Sequence, residues 1–65
     1  MTGKEAARAI VNMIFDQAVS YSRDALKFRH AGFPNLADEY DNYAEAANII
    51  ANQILSDIHN GTYGR

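Results

Sequence analysis

Three carboxylates come nearest to a reactive constellation: Asp38, Asp41 and Glu45. At steps of three and four they share one outer face of any helix that carries them. Such a face could hold a divalent cation or select a basic partner. A hard cation wants six or more oxygens, which a single helix face does not supply. The acids are therefore read as a solvated face suited to a basic protein partner, whose capture it would speed electrostatically. The two histidines, His30 and His59, sit where helix ends are expected, and helices of this length would hold them about 40 Å apart within one hairpin. No Glu-x-x-His occurs, so a carboxylate-bridged di-metal bundle has no ligand set. The absence of cysteine removes thiol catalysis, thiolate metal sites and disulfides, and fits a reducing cytosol. Ser20 and Ser22 have no base and orienter at a recognisable spacing. No phosphate loop or dinucleotide fingerprint is present. The expectation is a non-enzymatic chain with no metal and no cofactor.

Charge divides unevenly. The first half carries Lys4, Arg8, Arg23, Lys27 and Arg29 against Glu5, Asp16 and Asp24, while the second carries Asp38, Glu39, Asp41, Glu45 and Asp57 with no base before Arg65. Lys4, Arg8, Arg23 and Lys27 are the candidate nucleic-acid face, positioned by phosphate pairs. The competing reading is complementarity between two helices. A net charge of −2 and a pI near 5.4 favour the second.

The elements that would position these groups are two helices. Thr2 and Glu5 form a capping box that starts helix 1. Gly32 suits the left-handed position that ends it, Phe33 can pack back on Phe28, and Pro34 blocks continuation. Asn35 is the expected cap of helix 2, which Asn60-Gly61 terminates. The whole chain is then one domain: helix 1 over about 3–31, a turn at 32–34, helix 2 over about 35–59 and a frayed tail at 60–65. Apolar residues recur at alternating steps of three and four, at Ala7, Val11, Ile14, Ala18, Tyr21, Ala25 and Phe28, and again at Leu36, Tyr40, Tyr43, Ala47, Ile50 and Ile54. These are heptad seams, and the short turn forces them antiparallel, Ile14 facing Ile50 and Ala18 facing Ala47. Tyr21, Tyr40 and Tyr43 converge near the turn as core rings with their hydroxyls at the rim. The fold class is all-α, an antiparallel two-helix hairpin.

A second apolar set remains after this pairing. Phe15, Val19 and Leu26 line helix 1, and Ala37, Ala44, Ala51 and Ile58 recur every seven residues along helix 2. A chain of 65 residues is marginal alone, and exposing this second set would leave a large apolar patch. These residues are therefore expected to form a dimer or partner seam, two hairpins joining as a four-helix bundle. In length, hairpin layout and small/large heptad seam the chain resembles the Rop-type plasmid copy-number regulators. That resemblance is one of architecture; it implies a dimeric bundle that clamps paired RNA stem-loops with its first helices, and assigns no role to individual residues. It also fits the accessory regulators that phages and plasmids encode. The functional expectation is a small cytoplasmic interaction or regulatory protein that homodimerises and binds a macromolecular partner, first a protein, with an RNA-binding regulator using helix 1 as the alternative. No apolar run reaches the ~18 residues of a membrane span, and the N-terminal residues lack the apolar block of a signal peptide.

Overall fold

The computed structural model describes residues 2–64. Two helices, α1 (Gly3–His30) and α2 (Pro34–His59), lie side by side in a hairpin of 48 × 17 × 10 Å. The Thr2 hydroxyl accepts from the Glu5 amide at 3.1 Å, which starts α1. Both helices end in the same way. At Gly32 (φ 90°) the Phe33 amide donates to the Phe28 carbonyl and the Gly32 amide to that of Arg29; at Gly61 (φ 79°) the Thr62 amide donates to Asp57 and the Gly61 amide to Ile58. This pair of bonds defines a Schellman ending, and it needs a residue that tolerates positive φ. The Phe33 side chain nevertheless stays exposed. Nor does Asn35 cap α2: the cap position is Phe33, Pro34 opens the helix, and no side chain bonds the first turn. Proline has no amide hydrogen to satisfy there and is already set at helical φ.

The contact between the helices differs from the expected one. On α1 the buried positions are Ala7, Val11, Ala18 and Ala25; on α2 they are Ala37, Ala44, Ala51 and Ile58. The four α2 residues assigned from the sequence to a dimer seam are thus the inner line of the hairpin itself. The line assigned to the hairpin core does not close: Leu36, Tyr43 and Ile50 are exposed, Ile50 by 53 %, while Tyr40, Ala47 and Ile54 are half-buried beside the alanines. The reason is steric. A methyl side chain lets two backbones approach closely, and that approach rotates α2 by one residue so that its small line faces α1 and its large line turns to the flank. At the open end of the hairpin Val11 and Ile58 replace alanine, packed with Ala7, Ala51, Ile14, Phe15 and Ile54. Among the described residues no polar side chain is buried.

Tyr63, in the C-terminal segment, lies against the start of α1. A Cβ placed on Gly3 would lie 2.8 Å from the Tyr63 carbonyl oxygen, so only glycine admits this approach without a shift. Tyr63 joins Gly3, Ala6, Ala7, Ile10 and Ile54 around a small cavity of 180 Å³.

Candidate interaction surfaces

Helical geometry divides the hairpin into two flanks, one on either side of the buried line. On one flank Ile14, Gln17 and Tyr21 of α1 meet Tyr43, Ala46, Ala47 and Ile50 of α2 around a shallow groove of 330 Å³. Ile10 and Tyr63 extend this surface to the open end. Four rings extend it to the turn: Tyr21 lies 6.0 Å from Tyr40 and 5.6 Å from Tyr43, Tyr40 lies 5.5 Å from Tyr43, and Phe28 lies 4.9 Å from Tyr40, all tilted or edge-on. Tilted and edge-on rings bring the positive edge of one to the negative face of another. The tyrosine convergence thus exists, but on an open flank rather than in a closed core. Among the groove's lining residues none is charged, and Gln17 is the most polar. Glu39, one turn before Tyr43, raises that phenol's pKa above its ordinary value, chiefly by charge repulsion of the phenolate, with desolvation and a hydrogen bond adding to it.

The other flank carries the charged groups of the turn end beside the exposed Val19 and Leu26 of α1. Near the turn the Arg29 guanidinium bonds Asp38 Oδ1 at 3.1 Å and Asp41 Oδ2 at 2.9 Å. The contact with Asp41 first, opposed by some desolvation, raises the arginine pKa further above its usual range. Two of the three acids in the proposed partner face are therefore already held by a cation of the same chain. Glu45 stays exposed, with no ion pair among the described residues. This is the complementarity between the two helices that the charge balance favours, with Arg29 as the cation that carries it.

Of the remaining expected seam residues, Phe15 is half-buried against the core, whereas Val19 and Leu26, each 56 % exposed, stand on the surface. The four cations proposed for nucleic acid divide into two pairs. Arg23 lies about 22 Å along α1 from Arg8 and about 60° round its axis, so the four are spread along the length of α1 rather than gathered in one patch. Lys4 and Arg8 instead line a cleft at the open end together with Val11, Asn12, Leu55, Ile58 and His59. His30 and His59 fall at opposite ends of the hairpin. Among the described residues no three His, Asp or Glu side chains gather as metal ligands, and no helix is long and apolar enough to cross a membrane. No protein-family model, curated protein or solved structure matches the chain.

Proposed function

We propose that this chain is a non-enzymatic interaction protein whose working form is a homodimer. Two hairpins pack their apolar flanks together as a four-helix bundle, and the bundle presents its charged outer surface to a protein partner. The observation that carries this reading is the apolar surface running from Ile10 to the tyrosines, with Ile50 more than half exposed at its centre.

Area favours a second copy as the occupant. The hairpin exposes 4740 Å², against about 4,100 Å² for a compact monomer of its mass. A compact body of twice the mass would expose about 6,800 Å², so that pairing two hairpins would bury on the order of 2,600 Å² in total. That lies within the range of stable protein–protein contacts. The flank also repeats with the heptad period that a second hairpin carries by construction, which is what interlocking helices require. Asp38, Asp41 and Glu45 remain on the other side of α2, where Glu45 and the residual charge of the Arg29 cluster would orient a basic partner.

Light scattering after gel filtration tests the assembly. The wild-type chain is expected at twice its monomer mass at micromolar concentration, and Ile50→Lys at the monomer mass with its helical circular dichroism retained. A wild-type chain that elutes folded at the mass of one hairpin throughout would overturn the proposal. The partner reading is tested separately: reversing Asp38, Asp41 and Glu45 to Lys should abolish capture of a basic partner while leaving the dimer mass unchanged.

A further inference from the structure

The cleft at the open end is distinct from the flank that carries the proposed dimer. Lys4, Arg8 and Asn12 follow one another at steps of four along α1, and His59 closes the opposite wall from the last turn of α2. Val11, Leu55 and Ile58 form its floor, and the open cleft has a volume of about 530 Å³. Arg8 and Asn12 lie on the other side of Val11 from Ile10 and Ile14, so the cleft stays open whether or not the apolar flank is covered.

The lining is unusual for an acidic chain. It holds two cations, an imidazole and an amide, and no carboxylate. Neither Lys4 nor Arg8 makes an ion pair among the described residues. Glu5 is the nearest carboxylate on α1; it stands one turn before Arg8, outside the lining, and leaves the two cations in excess. The positive end of α1 and the negative end of α2 lie together here, and their fields oppose one another. The side chains therefore set the local potential, and they set it positive.

We infer that this cleft binds a phosphate ester of nucleotide size. Arg8 offers a planar fork of donors and Lys4 a mobile point charge, the combination that grips phosphate oxygens from two directions. Asn12 supplies a neutral donor further along the same row. The space greatly exceeds one phosphate group and lies in the range of small-molecule pockets. Leu55, Ile58 and Val11 give an apolar bed on which a flat ring would lie with its phosphate held at the cationic rim.

Nuclear magnetic resonance titration of the full chain at low salt tests this, with AMP as the probe, inorganic pyrophosphate as charge without a ring, and adenosine as ring without charge. AMP is expected to give saturable shifts at Asn12, Leu55 and His59, pyrophosphate weaker ones at the same positions, and adenosine none. Arg8→Gln, an exposed substitution that leaves the fold intact, should weaken AMP about tenfold. Leu55→Ser should weaken AMP and leave pyrophosphate unchanged. The inference is overturned by AMP shifts that do not saturate, by equal AMP affinity in folded Arg8→Gln, by adenosine binding as tightly as AMP, or by pyrophosphate matching AMP.

Discussion

Two lines of residues run down α2 one position apart, and they have opposite fates. Ala37, Ala44, Ala51 and Ile58 are sealed against α1, whereas Leu36, Tyr43 and Ile50, the more apolar line by size, face outward. Side-chain volume alone would choose the second line for the core, because larger side chains remove more area from water. The hairpin chooses by distance. Two helices can bring their backbones close only where both present small residues, and Ala18 and Ala25 of α1 meet that condition. The large residues are displaced to the flank, where two hairpins together can bury what one cannot.

The sharpest way to break this comparison is to exchange size between neighbours. Ala51 is fully buried, so Ala51→Leu should overpack the contact and cost about 1–3 kcal/mol in urea denaturation. Ile50→Leu, one residue earlier, should cost less than about 1.5 kcal/mol even with a second chain covering it. Equal losses at the two positions would mean that the lines do not differ in burial. A smaller effect is expected at Gly3, the other place where small size admits a backbone. Alanine there favours helix by up to about 1 kcal/mol, but its Cβ meets the Tyr63 carbonyl at 2.8 Å. Gly3→Ala should therefore release residues 61–64, seen as faster amide exchange there, while the melting temperature moves little.

The smallest effect concerns the exposed line. Because Glu39 raises the Tyr43 pKa, the folded protein holds that phenol neutral to higher pH than the unfolded chain does. The contribution of this difference is present in full below the ordinary value of about 10 and is lost as pH climbs through the raised folded value. Glu39→Gln should bring the phenolate absorbance of one tyrosine to lower pH. An unmoved titration would show that the carboxylate does not face the ring.

What could be read from the sequence was local. The Thr2 cap and the glycine endings depend on residues within five positions of one another, and each forms its bonds. The choice between the two α2 lines was not legible, because both carry apolar residues at heptad spacing and differ only in the depth they allow. The signal was present in alanines seven apart with no large residue among them, but their spacing was assigned to a contact between hairpins rather than within one. Tyr63 against Gly3, and His59 opposite Lys4 and Arg8, join the two ends of the chain, and no local pattern announces such a meeting. Complementarity between the helices was legible in the charge balance, but not that Arg29 would be the cation to reach Asp38 and Asp41 across the turn.

The alanine line has a further consequence, for how the two helices find their alignment. Alanine seven residues apart looks the same after a slide of two turns, so the repeat by itself does not choose among alignments about 10 Å apart. Alanine also gives up no rotamers on burial, which leaves no side-chain detail to distinguish one setting from the next. Uniqueness is supplied at the ends, by the short connection with Gly32 in its left-handed turn, by the arginine clamp beside it, and by Val11 against Ile58 at the far end. The middle of this hairpin behaves as a slide rail, and its two ends are the stops.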